Sequence, residues 1–169
     1  MSTGLQIRVA SADDAGSISA ILIEAFSELR ESYTAEAFEA VTPHADEIVR
    51  RLDEGPIWVA EKDGEILGTV SAVPEPEWLY IRSKAVRPNV QGLGVGSRLL
   101  NAVEEYATEN GFDRLFLYTT YFSPHAIKVY EKRGFIRGRD TTAEEWFGTP
   151  GLAMEKKLNR NTKQNVVGS

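Results

Sequence analysis

A strand, a glycine-rich turn and a helix follow one another directly in the middle of this 169-residue chain. Residues 78–86 are rich in aromatic and aliphatic side chains, which predicts the strand. Apolar residues recur at helical spacing over residues 99–107. Three glycines at alternate positions lie between the two segments: Gly92, Gly94 and Gly96. A strand that passes through a tight turn into an amphipathic helix is typical of α/β domains, so the chain is expected to be one.

The glycine-rich turn also predicts a phosphate-binding site. Backbone N–H groups in the first turn of a helix have no partner within the helix, and the helix dipole is positive there. Glycine carries no side chain that would keep a phosphate away from those groups. The predicted cradle consists of seven consecutive residues: Gln91, Gly92, Leu93, Gly94, Val95, Gly96 and Ser97.

Two common phosphate-binding loops fit this stretch poorly. A P-loop requires Lys followed by Ser or Thr after the glycines, but here the loop continues into Ser97 and Arg98. A dinucleotide-binding loop requires a third glycine where Ser97 stands. It also requires an acidic residue at the end of the next strand, whereas Asp113 precedes that strand.

A third kind of loop fits better. Residues 91–96 resemble the Q/R-x-x-G-x-G/A pyrophosphate loop of the GCN5-related N-acetyltransferases, which also follows a fourth strand. The segment Ala85-Val86-Arg87-Pro88 is similar to that family's A-V-x-P segment. Residues 123–135 are similar to its N-x-x-A-x-x-L-Y-E-K-x-G-F helix, except that Ser123 stands where Asn is usual. The resemblance covers roughly residues 5–158.

The resemblance implies one acetyltransferase domain over residues 1–158, with a mixed, mostly antiparallel sheet flanked by helices. A local pattern agrees with this fold, since two apolar runs flank Asp63-Gly64 and predict a β-hairpin. Residues 159–169 are polar and show no periodicity, so we expect them to form a disordered tail.

The activity that the resemblance implies is acetyl transfer from acetyl-CoA to a primary amine of a small molecule or a peptide. The chain has no cysteine, which excludes an acyl-cysteine intermediate and favours direct transfer in a ternary complex. No metal is expected: the absence of cysteine excludes a zinc–thiolate site, and the presence of only two histidines excludes a three-histidine site. Two alternatives remain, namely an inert acyl-CoA-binding regulatory module of the same fold and a nucleotide-binding oxidoreductase.

Residues for the cofactor and for catalysis follow from the resemblance. The coenzyme A site is assigned to Ala85, Val86 and Arg87, to the turn from Gln91 to Ser97, and to Ser123 with Tyr130. In the family, the backbone at the position of Val86 pairs with the pantetheine arm and polarises the thioester carbonyl. Tyr130 matches the family's general acid near the coenzyme A sulfur. A phenol with a pKa near 10 is protonated at neutral pH and can donate that proton.

The general base is harder to assign. Some members of the family use a Glu on the fourth strand, but residues 78–84 contain no carboxylate. Glu77, which precedes the strand, and Glu24, in the first predicted helix, are the candidate bases. Tyr80 and Ser83 could instead hold a water, or the amine could lose its proton to bulk solvent before it binds.

Charge and hydropathy narrow the partners and the compartment. The net charge of −6 argues against nucleic acid, and no run of 18 apolar residues exists that could span a membrane. Residues 1–9 show no secretory apolar core, so a cytoplasmic protein is expected. Residues 1–80 carry 5 basic and 16 acidic side chains, whereas residues 81–169 carry 14 basic and 9 acidic ones. The basic half suits the phosphates of coenzyme A, and the acidic half predicts a cationic amine acceptor. Because dimers are common in the family, a homodimer is also possible.

Overall fold

The computed structural model describes residues 4–90 and 93–158, and within them one seven-stranded sheet organises the chain. Its strands are β1 Gln6–Val9, β2 Ile57–Lys62, β3 Glu65–Pro74, β4 Leu79–Val86, β5 Arg114–Thr120, β6 Ile136–Asp140 and β7 Gly151–Lys157. They lie in the order β1-β2-β3-β4-β5-β7-β6, and β4 with β5 is the parallel pair in an otherwise antiparallel sheet. The expectation of a mixed, mostly antiparallel sheet is confirmed.

Helices cover both faces of this sheet, as the alternation along β2 shows. The helices are α1 Ala15–Ser27, α2 Ala35–Val41, α3 Ala45–Arg51, α4 Val95–Glu109 and α5 Pro124–Lys132. Trp58 and Ala60 are buried together with α4 and α5, whereas Ile57 and Val59 are buried together with α1 and α3. Successive side chains of a strand point to opposite faces, so the two helix pairs form the outer layers of an α/β/α arrangement.

The predicted hairpin is present and joins β2 to β3. Asp63 and Gly64 have φ angles of 53° and 79°, which suit the two central residues of a tight hairpin turn. The predicted tail, residues 159–169, lies outside the residues that the structure describes, and so do Gln91 and Gly92 of the predicted cradle.

The strands β4 and β5 run side by side for a short distance and then separate. Their pairing begins at Leu79 with Leu115 and ends at Ile81 with Leu117, although β4 continues to Val86 and β5 to Thr120. A β-bulge accompanies the separation. Between β3 and β4 the register moves from Ser71–Arg82 to Thr69–Ala85, so β4 carries one extra residue there. Ser83, within that bulge, has a φ of 57°. The gap opens towards the carboxyl ends of both strands.

Candidate active site

A cavity of about 310 Å³ lies in the gap between β4 and β5. Five parts of the chain line it: α1 and α2 with the segment between them, the end of α3, the two separated strands, the start of α5, and the loop at residues 145–147. The loop and α2 are held together, since Thr34 donates from Oγ1 to the carbonyl of Phe147 at 2.8 Å. The cavity therefore connects the side where α5 lies with a side walled by the first helices.

The predicted phosphate cradle is at the start of α4, next to this gap. Gly94 is the residue before the helix and has a φ of 79°, a conformation that L side chains rarely adopt. The first helical hydrogen bond runs from the N–H of Arg98 to the carbonyl of Gly94 at 3.1 Å. The N–H groups of Val95, Gly96 and Ser97 therefore precede that bond, as a phosphate-binding helix start requires. A side chain at Gly96 would lie 3.2 Å from the Nζ of Lys84, so this approach is tight.

The arginines of the basic second half divide between this region and others. Arg133 lies beside the first turn of α4, where it donates from Nη1 to the Oγ of Ser97 at 3.1 Å. Arg87 forms an ion pair with Glu24 at 2.8 Å and donates from Nε to the carbonyl of Ile66.

Three further arginines of the basic half make contacts elsewhere in the described chain. Arg98 donates to the carbonyl of Leu5 at 2.7 Å. Arg137 pairs with Glu131, and Arg139 pairs with Glu145.

The free edge of β4 supplies the second part of the expected cofactor site. On its β3 side, β4 remains paired as far as Gly68 with Val86, and the N–H of Arg87 donates to the carbonyl of Leu67 at 2.9 Å. On the β5 side, the pairing ends at Ile81. Backbone groups beyond Ile81 on that edge have no strand partner within the described chain, and Ala85 and Val86 lie in this stretch. An extended ligand with amide groups can pair with such an edge, as an added strand does.

Tyr130 projects from α5 into the cavity and is 8% exposed. Its ring packs edge-on against Phe135, with 5.5 Å between the ring centroids. The Nζ of Lys84 lies 5.6 Å from the centre of the Tyr130 ring. Burial raises the pKa of Tyr130 to about 12, and its hydroxyl has no hydrogen-bond partner among residues 4–90 and 93–158. The phenol is therefore protonated at neutral pH and available as a donor.

Ser123 lies between β5 and α5 and contributes to the same cavity. Its Oγ accepts a hydrogen bond from the Oγ1 of Thr120 at 3.3 Å, and its side chain does not cap α5. Leu93, in contrast, is 64% exposed and points away from the core.

The two candidate bases lie away from this cavity. Glu24 is on α1 and is held by its ion pair with Arg87. Glu77 lines a separate surface pocket beside the stacked rings of Trp78 and Phe116, whose centroids are 4.4 Å apart. The structure thus brings Tyr130, Ser123 and the β4 edge together, but does not bring either carboxylate to them.

Four charged residues that the sequence analysis did not select line the cavity: Arg51, Arg82, Lys84 and Glu145. Glu145 receives both Nη groups of Arg139 at 2.7 and 2.6 Å and the hydroxyl of Tyr118 at 2.8 Å. These partners hold the pKa of Glu145 well below its usual range, while burial and the contact with Glu145 raise that of Tyr118 to about 12. Burial lowers the pKa of Lys84, and Arg133 lowers it further.

The sequence analysis predicted a cationic acceptor, which a negatively charged lining would favour, but the charged side chains of this lining are mostly positive. Three of the four charged residues are cations, and the carboxylate of Glu145 is already paired. A weak sequence signal existed, because Arg82 and Lys84 interrupt an otherwise apolar strand. Arg51 and Glu145 carry no comparable local pattern.

Comparisons with known proteins agree with the fold. The model of the family described as "Acetyltransferase (GNAT) family" matches residues 22–135. The chain is similar to "Uncharacterized N-acetyltransferase YhfO" of Bacillus subtilis (strain 168), with 31% identity over 146 residues. That match covers 78% of this chain and 89% of the relative.

One further relative matches a shorter part of this chain, and one solved structure matches at lower sequence identity. The chain is 33% identical over 85 residues to "Probable N-acetyltransferase camello" of Xenopus tropicalis, which covers 48% of this chain but 39% of the relative. Among solved structures, the PaiA N-acetyltransferase from Thermoplasma acidophilum in complex with coenzyme A has a TM-score of 0.75 at 21% identity. The match covers 92% of this chain and 99% of the chain in the solved structure, and it supports the fold. Within the described ranges, no helix has the length and apolar character needed to cross a bilayer.

Proposed function

The chain belongs to the GNAT acetyltransferase family, and on that premise we propose that it moves the acetyl group of acetyl-CoA to a primary amine of a small molecule or peptide. The transfer is direct and takes place in a ternary complex. The observation that carries this proposal is the separation of β4 from β5 beside the start of α4. One ligand can then bind to the N-terminus of α4 and the free edge of β4, while a second ligand reaches the same gap from the opposite side.

The cofactor is held mainly by backbone groups. The pyrophosphate of coenzyme A accepts hydrogen bonds from the N–H groups at the start of α4, beside Arg133, which also pairs with Glu104 at 3.1 Å. The pantetheine arm lies along the free edge of β4, where its amides pair with the backbone around Val86. This arrangement points the thioester into the cavity, and an N–H of the β4 backbone polarises its carbonyl.

The chemical step joins the amine nitrogen to the carbonyl carbon and breaks the carbon–sulfur bond. Tyr130 donates its hydroxyl proton to the departing thiolate, because its raised pKa keeps it protonated until that point. The amine nitrogen releases one proton to solvent as the amide forms, and the Tyr130 phenolate takes one proton back from solvent, so the protons balance over the reaction. The amine enters after losing its ammonium proton to solvent, since the carboxylate in the cavity, Glu145, is paired with Arg139.

Release of free thiol from acetyl-CoA, measured over a panel of polyamines, amino acids, aminoglycosides and peptides, tests the proposal. We expect turnover with at least one class of amine and loss of most of that turnover in Tyr130→Phe. Tight binding of acetyl-CoA by calorimetry without thiol release for any acceptor would overturn the proposal and favour an acyl-CoA-binding regulatory module.

A further inference from the structure

Two arginines line the cavity near α2 and the end of α3, which we call the acceptor end. Arg51 ends α3, and its side chain is 12% exposed. Arg82 is on β4 just before the bulge, and its side chain is 24% exposed. Lys84 also lines the cavity, but its Nζ lies near Tyr130, 5.6 Å from the centre of that ring.

The hydrogen bonds of Arg51 leave part of its guanidinium unused. It donates from Nη1 to the Oγ of Ser83 at 3.2 Å and from Nη2 to the carbonyl of Ala40 at 3.3 Å. Its Nε is 3.7 Å from the nearest oxygen of Glu47, which is beyond hydrogen-bond distance. A guanidinium carries five N–H donors, so Arg51 is oriented by its neighbours but not saturated by them.

Arg82 shows a similar excess of donors. Its Nη2 donates to Glu54 at 2.5 Å, but its Nε is buried and has no partner among the residues that the structure describes. The indole N–H of Trp146, another lining residue, is likewise buried without a partner in the described chain. Both atoms are donors only. Buried donors without acceptors are costly, and an acceptor can reach these two atoms only if their side chains shift.

Each arginine has a carboxylate on its outer side: Glu54 pairs with Arg82 at 2.5 Å, and Glu47, which also pairs with Arg50, lies 3.7 Å from Arg51. These two carboxylates are 49% and 42% exposed and do not line the cavity, so water screens them more than it screens the guanidiniums. Glu145, which does line the cavity, is engaged by Arg139 and Tyr118. Burial lowers the pKa of Arg51, and the like charge of Arg82 lowers it further. An anion bound by both side chains would offset this effect, and the planar fork of a guanidinium matches the two oxygens of a carboxylate.

We propose that the acceptor amine carries a carboxylate, as a free amino acid does, and that Arg51 and Arg82 bind this carboxylate while the amine faces Tyr130. The proposal rests on the acetyltransferase function proposed above. The aromatic side chains of Phe26, Tyr33 and Trp146 line the remaining wall and give an apolar surface to the rest of the acceptor. The carboxylate thus determines the orientation of the acceptor, and the aromatic wall influences which amino acid is preferred.

The first experiment compares matched pairs of acceptors. A panel of L-amino acids with aliphatic, aromatic and polar side chains is assayed by thiol release beside the primary amide of each. The amide has the less basic amine and is more often neutral, which favours it if the carboxylate contributes nothing. We expect kcat/KM to be at least about tenfold higher for the acid, since a charged hydrogen bond contributes about that much. Equal or better use of the amides overturns the inference while leaving the acetyltransferase proposal intact.

The second experiment removes the arginines. Arg51→Gln and Arg82→Gln should lower kcat/KM for the acids by about tenfold and leave the amides within about threefold, because only the acids lose a charged partner. Arg51→Lys, which keeps the charge, should recover part of the preference. The matched control is Arg50→Gln, one residue away on α3, where the side chain is 64% exposed and pairs with Glu47. Equal losses for acids and amides in both Gln variants, with unchanged coenzyme A affinity, would overturn the inference.

A binding measurement separates this inference from the catalytic proposal. Calorimetry of an N-acetyl amino acid against its amide, on protein saturated with coenzyme A, reports carboxylate recognition without any turnover. Preferential binding of the acid that is lost in Arg51→Gln supports the carboxylate site even if no amine is acetylated. Binding of the acid that is no tighter than that of the amide contradicts it.

Discussion

The cofactor end and the acceptor end of the cavity are built from different parts of the polypeptide. At the cofactor end, backbone groups form most of the site, namely the N–H groups at the start of α4 and the free edge of β4. At the acceptor end, side chains from α3, β4 and the loop at residues 145–147 form it. A backbone site requires a turn and a strand that are contiguous in the sequence. A side-chain site requires several distant segments to meet, so it can change its ligand without changing the fold.

Tyr130 lies where the two ends meet, and its removal is expected to have the largest effect. Tyr130→Phe removes one hydroxyl and keeps the ring packed on Phe135. If that hydroxyl protonates the thiolate, kcat should fall about a hundredfold, the lower end of the range for general acid catalysis. The KM for acetyl-CoA should change little, because this interaction is made in the transition state. Steady-state kinetics with a working acceptor measures both constants.

Tyr106→Phe is the matched control for that variant. Tyr106 lies on α4 and packs against Trp58 of β2, and it does not line the cavity. It should keep kcat within about twofold, since surface substitutions away from a site have small effects. A Tyr130→Phe enzyme with full kcat would show that Tyr130 is a packing residue and that water delivers the proton.

The environment of Tyr130 also predicts its titration. Burial raises the pKa of Tyr130, from the ordinary value of 10.0 to about 12, a change of about a hundredfold in its acid dissociation constant. The folded protein holds this proton more tightly than the unfolded chain does. The stability that it contributes is therefore complete below pH 10.0 and is lost as the pH rises towards about 12.

Tyrosinate absorbance and urea unfolding as functions of pH check this second prediction. Relative to the native chain, Tyr130→Phe should lose one tyrosine that ionises late, and its free energy of unfolding should decline less at alkaline pH. If the variant shows the same alkaline decline, then Tyr130 is solvated in the folded protein and its burial at the cavity is wrong.

A valine at Gly94 should damage the cofactor end alone. Val strongly disfavours the φ of 79° that Gly94 adopts, so the turn must move and the N–H groups of α4 with it. The affinity for coenzyme A should fall at least about tenfold, since one lost charged hydrogen bond is worth about 1.5–3 kcal/mol. Calorimetry measures this affinity on the folded variant.

Gly64→Val provides a closely matched control for the backbone strain. Gly64 has the same φ of 79° and, like Gly94, has no atom within 4 Å of an added Cβ, but it lies in the β2–β3 hairpin turn. Gly64→Val should lower the free energy of unfolding by about as much as Gly94→Val does and leave the coenzyme A affinity unchanged. Equal affinity in Gly94→Val and Gly64→Val would argue against a phosphate cradle at α4.

The smallest expected effect concerns the acceptor end. Glu145→Gln removes a charge that Arg139 and Tyr118 contact, so the loop at residues 145–147 should be held less firmly. We expect the KM for the acceptor to rise about threefold, because exposed ion pairs contribute little individually. The coenzyme A affinity should stay constant. Glu144→Gln, at the exposed neighbouring residue, should change neither constant.

The sequence predicted the parts of this protein whose residues are contiguous. The Asp63-Gly64 hairpin and the strand–glycine turn–helix unit follow from local patterns, because turn geometry and helix starts depend on a few adjacent residues. The resemblance over residues 91–96 and 123–135 then indicated the family, which the comparison confirms over residues 22–135.

Only the tertiary structure decided the character of the acceptor end. The acidic first half of the chain suggested a cationic acceptor, yet Arg51 comes from that half and lines the cavity. Glu47 and Glu54 contact Arg51 and Arg82 but do not line the cavity. Net charge counts every side chain equally, whereas a ligand responds to those that face it at short range and away from water. Which charges those are depends on how α3, the β4 bulge and the late loop pack, and no local pattern in the sequence specifies that packing.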